Sequence, residues 1–315
     1  MKVELLIVLA LLLDSILGDP RWLPHPVRLI GRLAIGVENI CRKLVSSERM
    51  AGVFAVLIVL AVTGLTGLSL IRLGSLLHPW LGQLISVLIL YSCFAARDLV
   101  AHSNRVYAAL EKDDLDEARR RVGMIVGRDI SALDRAGVVK ACVESVAENT
   151  VDGVTAPLFW AAVGGPLGAL LYKAVNTMDS TFGYKNERYL DFGWAPARLD
   201  DLANWLPARI TAVVMVAAAW FSRRSAVGAW RVFRRDRNNH ASPNSGQSEA
   251  VMAGALGIQL GGPAVYFGKP VLKPVIGNDT MSPEPIHIDR ANRLLVATTA
   301  LMTLLLLGIR LFSTH

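Results

Sequence analysis

Three short stretches of the chain carry side chains that could do chemistry. Residues 176–191 read NTMDSTFGYKNERYLD, with amides, carboxylates, tyrosines and cations crowded between apolar runs. A helix continuing out of the preceding apolar run would set Lys173, Asn176 and Asp179 at successive i, i+3 steps, which makes one polar face. Tyr184, Lys185, Asn186, Arg188 and Tyr189 follow, then Asp200, Asp201 and Asn204. Upstream, Lys140, Glu144 and Glu148 are spaced i, i+4, i+8, and Asn149 and Asp152 come next in AENTVDG. The third stretch, HASPNSGQSEAVMAGALGIQLGG at 240–262, turns at Asn244 and Ser245 into a predicted helix with Ser248 as its N-cap.

These residue types fit phosphate chemistry. Carboxylates and amides are the oxygen ligands that Mg²⁺ takes, which points to Glu148, Asp152 and Asp179 as metal ligands. Lys173, Lys185 and Arg188 are cations suited to phosphate or a developing oxyanion. Asn149, Asn176, Tyr184, Asn186, Asn244 and Ser245 are polar groups for substrate, and a helix start such as that after Asn244 can receive a phosphate. His25, between two prolines in GDPRWLPHPVRLIGRL, is either a substrate-side proton carrier or an interfacial turn. Each reading has a plainer rival: a Lys–Glu ladder is commonly a solvated helix face, and tyrosines at a membrane boundary serve as headgroup anchors.

The chain has 315 residues, of which 53% are hydrophobic and 19% charged, and its mean hydropathy is +0.41. That composition describes an all-α, polytopic membrane protein forming a single domain over 1–315, with helical cytoplasmic connections and re-entrant segments. Spans are expected near 51–71, 76–96 and 293–311, the first two joined by a hairpin at His78-Pro79. Residues 3–18 read as a retained first span, with Asp14 close enough to its end to reach water. Residues 153–173 and 208–222 are short or interrupted by Pro157 and Gly164-Gly165-Pro166, so they either cross or dip in and return.

A net charge of +7 needs no nucleic acid. Six basic residues fall between Arg21 and Arg49, nine between Arg97 and Lys140, and six between Arg223 and Arg237, which places 20–50, 97–150 and 223–291 in the cytoplasm. Cys41, Cys93 and Cys142 are far apart, so neither a disulfide framework nor a thiolate zinc site is implied. Gly257 and Gly261 form a G-x-x-x-G spacing for a close helix approach. The Walker, dinucleotide and nucleophile-elbow signatures are absent, so any ATP site is of another kind.

Strings running nearly end to end, including GDPRWLPHPVRLIGRL, VESVAENTVDGVTAPLFWAAVGGPLGALLYKAVNTMDSTFGYKNERYLDFGWAPARLDDLANWLPAR and SPNSGQSEAVMAGALGIQLGGP, resemble the adenosylcobinamide-phosphate synthase family of cobalamin biosynthesis. The resemblance implies a multi-pass enzyme of the bacterial inner membrane. It would join adenosylcobyric acid to (R)-1-aminopropan-2-ol phosphate through an amide, with ATP as co-substrate and Mg²⁺, and other late cobalamin-assembly enzymes as candidate partners. The residue roles come from chemistry rather than from the family: Asp200 or Asp201 would be the base that frees the attacking amine. Because ATP is cytoplasmic, 176–191 should face inward, which favours re-entrant segments. A non-catalytic membrane regulator and a small-solute transporter are the rival readings.

Overall fold

The computed structural model describes residues 2–19, 25–184, 186–266 and 268–313. In chain order come α1 (Val3–Leu17), α2 (Pro26–Leu44), α3 (Glu48–Leu77), α4 (Pro79–Tyr91), α5 (Ala96–Glu111) and α6 (Leu115–Val122). Next are α7 (Arg135–Thr150), a π-helical turn (Val151–Thr155), α8 (Ala156–Phe182) and α9 (Trp194–Phe221). The chain finishes with α10 (Ala226–Asp236), α11 (Ser245–Leu256), β1 (Leu260–Tyr266), β2 (Lys269–Ile276) and α12 (Ile286–Ser313). It divides into two compact units: Met1–Ala95, Asp152–Asn204 and Leu306–His315 in one, Ala96–Val151 and Trp205–Leu305 in the other.

The fold is all-α apart from one small antiparallel hairpin. Among the described residues five stretches are long and apolar enough to cross a membrane: Glu48–Leu77, Pro79–Glu111, Arg135–Phe182, Trp194–Phe221 and Ile286–Phe312. The expected hairpin at His78 is present, because His78 caps the start of α4 by accepting from the Trp80 amide and Pro79 needs no donor at that position. Two expectations change. The apolar run near 208–222 belongs to a 28-residue helix that starts at Trp194. Asp14 does not reach out to water but is only 3% exposed.

In the first unit α8 turns back on itself. Gly165 has φ 62° and ψ −153°, a region that residues with a Cβ essentially do not enter. A Cβ on Gly168 would fall 2.4 Å from the Trp160 carbonyl oxygen, whereas residues eight apart along a straight helix are about 12 Å apart. The two halves therefore lie side by side. Pro166 cannot donate to the Ala162 carbonyl, and that orphaned oxygen is taken by the Arg310 guanidinium, which also pairs with Glu4 at 2.9 Å. Pro207 likewise frees the Ala203 carbonyl, and the Trp160 indole N–H donates to it at 3.1 Å. Gly165→Ala should lower stability by about 1–3 kcal/mol, read as an earlier unfolding midpoint in detergent; an unchanged midpoint would mean the reversal does not depend on that backbone conformation.

The second unit packs α5, α6, α7, α10 and α11 around one apolar core that includes Val106, Leu110, Val139, Met252 and Ile258. Helix α11 is buried along its whole length. It sits that deep because Gly254 and Gly228 cross, each leaving room where a Cβ would come within 2.6 Å of the other's carbonyl oxygen. The G-x-x-x-G expectation at 257 and 261 therefore fell on the wrong pair. Gly257 ends α11 in the left-handed conformation at φ 72°, and Gly261, at φ 75°, lies at the irregular start of the hairpin. The hairpin itself was not expected in 223–291. Its prolines, Pro263, Pro270 and Pro274, read as breakers, yet a two-stranded sheet is all edge and tolerates them.

Candidate active site

The polar face expected on α8 exists and meets α9 inside the first unit. Because α8 reverses at Gly165, Tyr172 and Lys173 come back to Asp152: the Tyr172 hydroxyl and the Lys173 ammonium each lie 3.4 Å from the Asp152 carbonyl oxygen. The Tyr172 hydroxyl donates to Asn204 Oδ1 at 2.8 Å, and Asn204 Nδ2 donates to Asp200 Oδ2 at 3.0 Å. Asn176 Nδ2 reaches Asp200 Oδ1 at 3.4 Å, and Lys173 Nζ is 3.4 Å from Asn176 Oδ1. Both oxygens of the buried Asp200 are thus oriented by amides. The carboxylates of Asp152, Asp200 and Asp179 all bear electrostatically on the Tyr172 hydroxyl, and those of Asp152 and Asp200 on Lys173. Asp201 acts on Asp200 from the next position in α9.

The loop that follows α8 is held differently from what its charges suggested. Arg188 pairs with Glu38, which is 1% exposed, at 3.1 Å, and Arg42 binds the same carboxylate at 3.0 Å while donating to the Arg188 carbonyl. Arg42 also lies over the Phe192 ring, 4.4 Å from its centroid, and Arg49 pairs with Asp191 at 3.0 Å. Gly52 completes the clasp, since a Cβ there would strike the Phe192 carbonyl. Asn186 accepts the Tyr189 amide at 3.0 Å and so shapes a turn. Tyr184 is exposed, and Lys185 lies outside the described residues. The charge on Arg188 is thus directed at a buried glutamate that Arg42 also neutralises, and Arg188→Ala should lower activity only a few-fold. A loss as large as that of a buried site residue would restore the phosphate role first expected of it.

His25 is a cap. Its Nδ1 accepts the Val27 amide at the start of α2, and its Nε2 is 3.6 Å from Asp19.

A second polar cluster lies in the other unit, where α7, α11 and the hairpin meet. Glu144, 3% exposed, takes the Arg128 guanidinium and the Gly261 amide, so the ladder with Lys140 is not a solvated face. Glu148 accepts the Ser245 hydroxyl at 3.1 Å, and His240 Nε2 lies 3.7 Å from the buried Glu249 carboxylate. Burial, with the nearby charges of Glu144 and Glu148, raises the Glu249 carboxyl well above the usual carboxylate range, and burial lowers His240. Both directions favour neutral forms. Burial opposes the charge on Lys273, but its hydrogen bond to Tyr266 and the Glu144 carboxylate outweigh that and raise it.

Of the residues expected here, Asn244 accepts from Arg209 at 3.4 Å and occupies the N-cap position of α11 in place of Ser248. Asn149 is tied back to Ser145 on its own helix. Sequence reasoning missed Glu38, Arg42, Arg128, His240, Glu249 and Lys273. For Glu249 there was a signal, a lone carboxylate in the small, apolar helix SGQSEAVMAGAL.

Among the described residues no three His, Cys, Asp or Glu side chains form a group that could hold a metal ion, so Glu148, Asp152 and Asp179 are not assembled as a three-carboxylate cage. Magnesium does not require one. It keeps several waters and takes one or two carboxylates plus substrate phosphates, and the oxygen donors around Tyr172 fit that demand.

Residues 7–295 match the family model described as CobD/Cbib protein. A cobalamin biosynthesis protein CobD of Geobacter metallireducens is 51% identical over 300 residues, covering 95% of this chain and 94% of the relative. The cobalamin biosynthesis protein CbiB of Salmonella typhimurium is 45% identical over 303 residues, covering 95% of each. A CobD of Clostridium perfringens is 43% identical over 290 residues, 92% of each. No solved structure gives a significant match.

Proposed function

The chain belongs to the CobD/CbiB protein family, and from that premise we propose that it catalyses the ATP-dependent amide ligation of cobalamin biosynthesis. Adenosylcobyric acid and (R)-1-aminopropan-2-ol phosphate would be joined to give adenosylcobinamide phosphate. The names of its relatives support the pathway. The observation that carries the reaction is the group in which the partly buried Asp152 and Lys173 meet the buried Tyr172, Asn176, Asp200 and Asn204, which sets a cation near an oriented carboxylate.

A carboxylate is a poor electrophile, so the γ-phosphoryl group of ATP passes to the corrinoid carboxylate, releasing ADP and leaving an acyl phosphate. The amine then attacks the acyl carbon, the C–O bond to phosphate breaks, and inorganic phosphate leaves as the amide forms. Lys173 is placed to neutralise the phosphoryl oxygens and the tetrahedral oxyanion. Asp200 takes the proton of the amine; its orientation by Asn176 and Asn204 selects it over Asp201. Asp152 and Asp179 would hold magnesium, which when bound offsets the charge of the phosphates.

The protein would act at the bacterial inner membrane with this group facing the cytoplasm. The fold-back of α8 keeps both its ends on one face, which would set 176–191 on the same side as the basic 97–150 segment. Cysteine placed at position 185 should react with an impermeant reagent from the cytoplasmic side only, and reaction only from outside rejects the topology. For the activity, purified protein with both substrates and Mg-ATP should yield an ATP-dependent amide. The absence of that product leaves the regulator or transporter reading in its place.

A further inference from the structure

A separate feature lies where α9 ends and α12 begins. The two spans leave their apolar stretches at Phe221 and Ile286. Just beyond Phe221 the chain makes a tight turn: Arg223 has φ 54°, a left-handed conformation unusual for a residue with a side chain, and the Arg224 amide reaches back to the Ala219 carbonyl at 2.8 Å. That turn brings Arg224 within electrostatic reach of Arg290 and Arg293 on α12, and His287 within reach of Arg224 and Arg290. Four nitrogen-bearing side chains are thus linked electrostatically around this turn.

The acids nearby do not neutralise them. Asp289 is paired with Arg293 at 2.9 Å, and among the described residues it is the acidic group whose charge bears on Arg224. Glu284 faces His287 chiefly through its backbone, whose nitrogen and carbonyl oxygen lie 3.0 and 3.1 Å from Nδ1. Either tautomer of the ring is served there, and an anion at Nε2 selects the one in which Nε2 donates.

Two buried donors in this group are orphaned. Among the described residues Arg224 Nε and His287 Nε2 find no hydrogen-bond partner, although His287 is 1% exposed. Orphaned buried donors are rare in native structures and call for a ligand or an explanation. Here the Arg224 guanidinium and the imidazole are joined by two further guanidinium groups, so the missing partner is an anion with several acceptor oxygens. Its surroundings select the source. Trp220 and Phe221, one turn before Arg224, are 72% and 70% exposed, and the exposed Trp230 follows in α10. Aromatic side chains at the end of a span mark the headgroup layer.

We propose that Arg224, His287, Arg290 and Arg293 form a binding site for the phosphate of an anionic phospholipid headgroup, independent of the ligation chemistry. The general attraction of basic loops for anionic membranes is not the claim, because it would not distinguish Arg224 from its neighbour Arg223. The site is specific to the turn.

The test uses the full chain in lipid nanodiscs of phosphatidylcholine alone or with phosphatidylglycerol. Native mass spectrometry counts retained lipid, and thermal unfolding reports protection. Phosphatidylglycerol should bind and raise the unfolding temperature. R224Q should weaken that binding about tenfold or more, the scale of a charge-assisted hydrogen bond, while R223Q, with the same charge change on an exposed side chain, keeps most of it. H287L offers a second variant should R224Q fold poorly, and it should lose retained lipid as well. Equal losses in R223Q and R224Q overturn the site, as does a lack of preference for phosphatidylglycerol. A third arm adds inorganic phosphate to the phosphatidylcholine discs; protection there equal to that of phosphatidylglycerol overturns the lipid assignment in favour of a soluble anion.

Discussion

Lys173→Met lowers the rate of amide formation by about 10²–10³-fold, the loss expected when a donor aimed at a developing oxyanion is removed. Methionine keeps the length of the chain, so packing around Tyr172 and Asn176 survives while the charge goes. In the proposed role Lys173 acts on charge that grows during reaction, so the loss should fall on kcat with a smaller change in KM. Asp200→Asn should be as damaging for a second reason. Asn176 and Asn204 both offer amide donors to its two oxygens, and an amide in place of the carboxylate sets donor against donor on one side. Measuring kcat and KM for each substrate separately decides the matter. If K173M raises KM for ATP and leaves kcat intact, Lys173 is a binding group and the oxyanion assignment is wrong.

Much of this cluster was legible in the chain. The i, i+3 spacing of Lys173, Asn176 and Asp179 gave a face, and helical geometry made it real. The partner Asn204 and the orientation of Asp200 were not legible, because they depend on where α9 approaches α8. That approach turns on two prolines: Pro166 and Pro207 free carbonyls that Arg310 and Trp160 then occupy. Sequence shows the breakers but not which distant side chain answers them.

Arg188 shows the opposite case. Its place in a dense polar run suggested phosphate, yet Glu38, 150 positions away and almost fully buried, holds it. A lone glutamate in the amphipathic α2 gave no sign of that pairing. Three of the five apolar stretches, near 51–71, 76–96 and 293–311, were legible because about twenty apolar residues in a row have few alternatives, whereas 153–173 and 208–222 were left open between crossing and re-entry. The hairpin of β1 and β2 was not, because three prolines in short strands imitate a loop.

Glu144 carries the last prediction. Its carboxylate is the common acceptor for Arg128, whose side chain is 10% exposed, and for the Gly261 amide that begins the hairpin. Glu144→Leu leaves a buried guanidinium without a counter-charge and a backbone N–H without an acceptor, and should destabilise the second unit by about 3–5 kcal/mol. Replacing both partners, Glu144→Leu with Arg128→Met, removes the stranded charge and should recover most of that loss, leaving only the orphaned amide at about 1–3 kcal/mol. Unfolding of the single and double variants in detergent, followed by near-UV signal, measures the difference. A double variant no more stable than the single one would mean that Arg128 finds water once Glu144 is gone, and that the pair is less enclosed than its packing under the hairpin indicates.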